Sequence, residues 1–297
     1  MKKGIFKHVG GKNGLLGAEL TALLPQVPPD VYIEPYGGSF GLAIQSDYNP
    51  DKILMIHNEY DIRVHSIFKA VTTYPEETLK AVYSLLEKFD CGKCTLDYFR
   101  FVFDLYDRTG IMLFDDDIFR GAAAWILKSI TCHGNCRSLV RSESGDTKEK
   151  LEKYFERREE TALDLEGVIA LNYDAMDILK EIKNAGRSHD MKIFLYIDAP
   201  YSHSGKRTTS GNLYNKDISK DDKEIVELAE ILVEINQCTD CKIMVSEYDS
   251  PIYNSILTEE NGWHKVKVCD MPKRAYFSLN GECKPIETEY VWLNYDR

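Results

Sequence analysis

The chain has 297 residues, enough to bury a large core in one domain or in a domain with an insert. Its apolar (43%) and aromatic (11%) contents are those of an ordinary globular protein, which argues against wholesale disorder. The net charge of −11 speaks at first against a nucleic-acid partner.

The first predicted elements are typical of the opening of a parallel α/β sheet. Apolar periodicity predicts a short helix over Leu15–Leu24, which Pro25 ends. Two strands are predicted next, Val31–Ile33 and Ile53–Ile56, and a Gly-rich turn follows the first of them.

Residues 60–165 have a different character, because their periodicity is helical and no clear strand interrupts it. A loop is predicted over Arg141–Asp146. The predicted helices are Asp61–Thr73, Pro75–Phe89, Thr95–Tyr106, Asp115–Ile130 and Thr147–Leu165. We interpret this block as an insert in the sheet domain or a cap on the sheet.

Strand patterns return after the helical block. Three near-continuous apolar runs indicate strands buried on both faces, at Val168–Leu171, Ile193–Ile197 and Ile243–Val245. Each run ends in a polar cluster, and open α/β sheets bind ligands at the carboxyl ends of their strands. Residues 263–269 and 288–295 are candidates for closing strands, for which an antiparallel direction is one interpretation.

The location and the cysteines can also be judged from the sequence. The N-terminus lacks the apolar core of a secretory signal and no apolar run is long enough to cross a bilayer, so we expect a cytoplasmic protein without a membrane partner. The eight cysteines are then thiols or metal ligands. Two cysteine pairs of the helical block, Cys91/Cys94 and Cys132/Cys136, could together make a zinc site. Each of these pairs, like Cys238/Cys241, lacks the second half of a standard zinc spacing, and we predict no metal.

Three polar clusters at strand ends are candidates for a functional site. The glycines of Gly37–Gly41 allow a ligand to approach the backbone, although such turns are often only tight turns. Glu59 suits the hydroxyls of a ribose, or it is merely an acid at a helix N-terminus. Asp198–Tyr201 combines a carboxylate, a carbonyl and an aromatic ring that together suit a planar amine, unless it is only a polar turn.

Taken together, these clusters resemble the motifs of the Dam-type DNA adenine methyltransferases over most of the chain. The segment Lys7–Lys12 resembles the family's N-terminal Gly-Gly-Lys segment, and Glu34–Ser39 resembles its Glu-Pro-Phe-x-Gly-x-Gly cofactor loop. Asp198-Ala199-Pro200-Tyr201 resembles the catalytic Asp-Pro-Pro-Tyr. Segments 246–249 and 289–295 resemble later signatures, and the order of the motifs is the family's order.

The resemblance implies a fold, a cofactor and a set of site residues. The fold is α/β, with a Rossmann-like methyltransferase sheet that has helices on both faces (residues 1–60 and 166–297) and a mainly helical inserted target-recognition domain (residues 61–165). The cofactor is S-adenosyl-L-methionine, and the reaction methylates the N6 amine of a flipped adenine in double-stranded DNA. The implied catalytic residues are Asp198, Ala199, Pro200 and Tyr201. The implied cofactor residues are His8, Gly10, Gly11, Lys12, Glu34, Pro35, Tyr36, Gly37, Gly38, Ser39, Glu59, Tyr173, Asp174 and Asp198.

The distribution of charge along the chain weakens the argument that the net charge makes against a DNA partner. Four short segments (1–14, 128–141, 201–220 and 264–274) together hold fifteen basic residues against two acidic ones. They could line one face and contact phosphates, or they are ordinary solvated loops. The predicted DNA-binding residues are Lys7, Arg137, Arg141, Lys206, Arg207 and Tyr214.

The chain departs from the family pattern at three places. Position 199 is Ala where the family has its first Pro, and His8 stands where relatives often have an aromatic ring. Residues 131–146 also lack the Arg-Tyr-Asn and Gly-x-Phe-Asn hairpin of GATC readers. We therefore keep two alternatives: a methyltransferase acting on cytosine N4 or on an amine of RNA or protein, and an inactive cofactor- and DNA-binding module. We expect a monomer, and a cognate restriction enzyme is left open as a partner.

Overall fold

The strands of the computed structural model form one mixed sheet. The model describes residues 4–6, 11–12, 14–88, 93–130, 147–187, 190–201, 222–272 and 286–296. Within these ranges seven strands join in the order β3-β2-β1-β4-β5-β7-β6. Their bounds are β1 Val31–Glu34, β2 Leu54–Asn58, β3 Ile169–Leu171, β4 Ile193–Ile197, β5 Lys242–Tyr248, β6 His264–Pro272 and β7 Ile286–Leu293.

Strand directions divide the sheet into a parallel part and a closing pair. Strands β1 to β5 pair in parallel, whereas β7 runs antiparallel to both β5 and β6. The prediction of a mainly parallel α/β sheet is therefore confirmed, and so is the antiparallel interpretation of the two closing strands.

The position of β1 in the sheet decides where polar residues meet. β1 pairs with β2 on one side and with β4 on the other, with Ile33 level with both Ile56 and Leu195. The chain thus adds β2 and β3 on one side of β1 and then crosses to the other side of β1, where β4 and β5 follow. Such a reversal is the topological switch point at which open α/β sheets leave a crevice at their carboxyl edge.

Helices cover both faces of this sheet. Helices α3 to α8 lie between β2 and β3 in the chain, and residues 62–163 contain no strand in their described part. The helix bounds are α1 Leu15–Thr21, α2 Gly41–Gln45, α3 Ile62–Thr73, α4 Pro75–Lys88, α5 Lys93–Thr109, α6 Asp117–Ile130, α7 Thr147–Glu156, α8 Glu159–Leu163, α9 Ala175–Ala185, α10 Asp222–Cys238 and α11 Pro251–Ile256.

Two apolar clusters result from the alternation of side chains along the strands. Phe194 and Tyr196 of β4 pack in a cluster with α3, α4 and α6. Leu195 and Ile197 point to the opposite face and pack in a second cluster with α9, α10 and α11. A strand buried on both faces explains why the β4 sequence is apolar throughout.

One predicted helix is wrong as a single element. The prediction over Thr147–Leu165 corresponds to two helices, α7 and α8, with Arg158 between them. Arg158 has φ −125° and ψ −2°, outside the helical region, and its guanidinium lies 3.4 Å from the centroid of the Tyr154 ring. Periodicity could not reveal this break, since the buried apolar residues of both helices join the same core cluster.

Helix lengths bear on one further prediction. In the described part of the chain, no helix is both long enough and apolar enough to cross a membrane.

Candidate functional site

The loop after β1 is shaped by close contacts of its glycines. The amide of Gly37 donates to the carbonyl of Asn58 at 2.8 Å. A Cβ at Gly37 would lie 2.6 Å from Nε2 of His57, closer still to Cδ2 of that ring, and 2.9 Å from the Asn58 oxygen. Only glycine therefore lets the loop approach β2 this closely.

The same loop has unusual backbone conformations at its end. Gly38 has φ +48°, and Phe40 has φ +54°, the one positive φ of a non-glycine residue in the described chain. Phe40 is fully buried at the N-cap of α2, where its ring meets Tyr32, His57 and Phe68 edge to face. Strained backbone held in place by packing is a feature of ligand-binding loops.

Glu34 ends β1 with its carboxylate turned into the protein. It is 2% exposed, and its Oε1 accepts from the Tyr32 hydroxyl at 2.6 Å and from the amide of Ala43 at 3.3 Å. Burial raises the pKa of Glu34 to about 8. The predicted cofactor residue thus anchors the start of α2 to the strand.

Glu59 lies at the end of β2 and joins two neighbouring segments. Its Oε2 accepts from the amide of Gly38 at 3.0 Å, and its Oε1 accepts from the amide of Asp61 at 3.0 Å. Burial raises the pKa of Glu59 to about 7. Each carboxylate oxygen has two lone pairs, so both retain capacity for a ligand hydroxyl.

Asn58 connects the ends of three strands through its side chain. Its Nδ2 donates to the carbonyls of Pro35 at 2.8 Å and Tyr173 at 3.0 Å, and its Oδ1 accepts from the Tyr173 amide at 2.9 Å. These bonds bring the β1 loop and the segment after β3 to one edge of the sheet. The Tyr173 ring is 62% exposed there, and the Asp174 carboxylate caps α9 by accepting from Met176 N at 3.0 Å.

The segment after β4 places Asp198 beside a lysine from the N-terminal region. Lys12 Nζ donates to Asp198 Oδ1 at 2.5 Å, and Ser246 Oγ lies 3.4 Å from the same oxygen. The hydroxyls of Ser246 and Tyr196 are 2.8 Å apart. Asp198 remains 20% exposed in its side chain, whereas Lys12 is only 2% exposed.

Two contacts hold the side chain of Tyr201, one at its hydroxyl and one at its ring. Its hydroxyl donates to Glu289 Oε1, from β7, and its ring lies edge to face with Tyr248 at 4.9 Å between centroids. Burial and the neighbouring carboxylates Glu289 and Asp198 raise the pKa of Tyr201 well above its usual value. The contacts with Glu289 and Tyr248 fix the orientation of the ring.

The structure brings together most of the predicted residues that it describes. Gly11, Lys12, the Glu34–Ser39 loop, Glu59, Tyr173, Asp174 and Asp198–Tyr201 all lie at the carboxyl ends of β1 to β4 or in segments that contact them. Several predicted residues lie outside the described residues: Lys7, His8, Gly10, Arg137, Arg141, Lys206, Arg207 and Tyr214.

Sequence reasoning did not single out four residues of the site: Asn58, Ser246, Tyr248 and Glu289. Glu289 had only a weak signal, because it directly precedes the apolar run Tyr290–Leu293 and follows the polar residues Glu287 and Thr288 of the same strand. Its burial, at 1% exposure, is seen only in the fold. The role of Asn58 had no sequence signal, because its partners lie 23 and 115 residues away.

Within the described residues, no group of three or more His, Cys, Asp or Glu side chains is arranged to hold a metal ion. Cys238 and Cys241 are free thiols, while the side chains of Cys91, Cys94, Cys132 and Cys136 lie outside the description.

The arrangement combines two chemically distinct halves around the switch point. On the β1–β3 side lie a tight glycine loop, a ribose-compatible carboxylate and an exposed aromatic ring. On the β4–β5 side lie a carboxylate and a fixed tyrosine ring, the groups that suit a planar amine. No family model matches the chain, and no curated protein sequence matches it.

Proposed function

We propose that the protein is an S-adenosylmethionine-dependent DNA methyltransferase of the Dam type, which modifies the N6 amine of adenine. The observation that carries this proposal is the pairing of the Glu34–Gly41 loop with Asp198–Tyr201. These segments leave β1 and β4, which are adjacent strands on the two sides of the switch point.

The strand order supports a Rossmann-like methyltransferase sheet. The first five strands follow the doubly wound order 3-2-1-4-5, in which ligands bind outside the carboxyl ends near β1 and β4. Helices on both faces and the helical block between β2 and β3 agree with a sheet domain (1–60 and 166–297) and an inserted recognition domain (61–165).

The residues on the β1–β3 side fit the proposed cofactor, which supplies an activated methyl group on a sulfonium. Glu59 would accept hydrogen bonds from the ribose hydroxyls while it holds the Gly38 amide. Gly37 leaves the loop backbone close enough to β2 to line the pocket. Tyr173, whose ring is exposed and whose backbone Asn58 fixes, would lie along the adenine ring.

The residues on the β4 side fit a flipped base. Tyr201 would stack on the target adenine, while Asp198 and the Ala199 carbonyl accept from its amine. The amine becomes positive as it takes the methyl group, and a preorganised carboxylate stabilises that charge. The backbone carbonyl at position 199 is present whether the residue is Ala or Pro, so the departure from the family motif leaves this acceptor in place.

Double-stranded DNA is the partner we propose, bound by a monomer in the cytoplasm. The test uses the purified full chain, labelled S-adenosylmethionine and mixed-sequence duplexes, followed by oligonucleotides that each contain a single amine-bearing base. Transfer to adenine, absent in the matched variant Asp198→Asn, supports the proposal. Transfer to cytosine alone overturns the choice of base, and tight cofactor binding without any transfer overturns the enzymatic function in favour of a binding module.

A further inference from the structure

A buried ammonium stands between two carboxylates in the proposed amine site. Lys12 Nζ lies 2.5 Å from Asp198 Oδ1 and 3.9 Å from Glu289 Oε1. It also lies 4.9 Å from the centroid of the Tyr201 ring. Asp198 and the Tyr201 ring are the groups that would hold the amine of the target base, so the ammonium occupies the position of that amine.

The backbone of Lys12 is fixed, so only its side chain is able to leave this position. A Cβ at Gly41 would lie 3.0 Å from the Lys12 nitrogen, and one at Gly17 would clash with the Lys12 carbonyl oxygen. These two glycines pack α1 and α2 tightly against residue 12. The four-carbon side chain, in contrast, has several rotatable bonds with which to redirect its ammonium.

We propose that Lys12 is a positioning residue that occupies Asp198 when no base is bound and transfers to Glu289 when the base enters. This inference rests on the proposed function. A shift of about 1 Å would bring the ammonium within hydrogen-bond distance of Glu289 Oε1. The transfer keeps the buried ammonium beside a carboxylate throughout, and thereby avoids the desolvation penalty of an uncompensated charge.

This transfer gives a reason for the burial of the Glu289 carboxylate, which is 1% exposed. It receives the displaced ammonium, and it also accepts the Tyr201 hydroxyl bond that fixes the stacking ring. The amine of the base replaces one charged donor on Asp198 by a neutral donor. Lysine therefore competes with non-cognate groups for Asp198, and only a base that also stacks on Tyr201 displaces it.

The first test needs no catalytic activity. Asp198→Asn and Glu289→Gln are nearly isosteric, and each leaves the ammonium one carboxylate. We expect each to lower the melting temperature slightly, and the double variant to lower it by about 5–8 °C more than the sum, since the buried ammonium then loses both Asp198 and Glu289 as charged partners. In a Lys12→Met background this excess should disappear. Additive effects in the presence of Lys12 would overturn the proposal.

The second test is kinetic and uses the DNA substrates above. Glu289→Gln should raise the KM for DNA about tenfold, with a smaller effect on kcat, because the ammonium then stays on Asp198. Adding Lys12→Met should restore most of the loss in KM for DNA, measured at saturating S-adenosylmethionine because Lys12 is also a predicted cofactor residue. A double variant as poor as Glu289→Gln alone would overturn the transfer. If the wild-type protein methylates no DNA, the proposed function fails, whereas the melting experiment still decides the two-position lysine.

Discussion

The tight contact of Gly37 with β2 makes a strong prediction for the variant Gly37→Ala. The added methyl group would meet the His57 ring and the Asn58 carbonyl oxygen at 2.9 Å or less. The ring has nowhere to move, because it stacks on Phe68 at 3.7 Å between centroids and meets Phe40 edge to face at 5.2 Å. The loop must therefore move away from β2.

The size of the effect follows from these contacts. Overpacking a close-packed site costs about 1–3 kcal/mol, and contacts with both a ring and a backbone oxygen favour the upper end. For a chain of this size, that corresponds to a fall in melting temperature of about 3–5 °C. Displacing the loop also breaks the bond from Gly38 N to Glu59. Glu59 is then no longer held in place for the ribose hydroxyls. Losing one hydrogen bond from this carboxylate to the cofactor costs roughly 1.5–3 kcal/mol, so cofactor affinity should fall about tenfold or more.

A matched control is available in Gly121→Ala, in α6. A Cβ there would lie 2.7 Å from the Ser66 oxygen and closer to the Ala70 Cβ, at the contact between α3 and α6. It should lower the melting temperature by a similar amount, yet leave S-adenosylmethionine affinity in calorimetry unchanged. Equal cofactor affinity for both variants would refute the reasoning that Gly37 shapes the cofactor loop.

Three further predictions concern other parts of the site. Asp198→Asn should reduce single-turnover methylation by orders of magnitude while circular dichroism stays native; a near wild-type rate would exclude its role as amine acceptor. Burial raises the pKa of Glu59 from 4.5 to about 7. Relative to Glu59→Gln, the wild-type free energy of unfolding should therefore fall as the pH rises from about 4.5 through 7, and parallel pH profiles would contradict this. Lys206→Ala with Arg207→Ala should weaken DNA binding for all sequences and flatten its salt dependence, unlike a loss confined to one sequence.

Local sequence patterns determined the helices and strands of this protein and the carboxyl ends of the strands at which its polar residues gather. The runs Ile193–Ile197 and Ile243–Val245 are strands because a sheet buried on both faces requires apolar side chains in both directions. Asp198, Glu59 and the glycine loop were therefore identifiable as neighbours at one edge before any contact was known.

Only the tertiary structure decided how those residues are used. The contact of Lys12 with Asp198 spans 186 positions, and that of Tyr201 with Glu289 spans 88, so neither follows from periodicity or from spacing. The second contact depends on the order of the strands, which places β7 beside β5 and not at the edge of the sheet. Glu34 shows the same limit. Its residue type and its position at the end of β1 suited a ligand, but in the fold its buried carboxylate accepts a hydrogen bond from the Tyr32 hydroxyl. Periodicity reports which face of an element is buried, whereas the partner across that face is set by packing among segments distant in the chain.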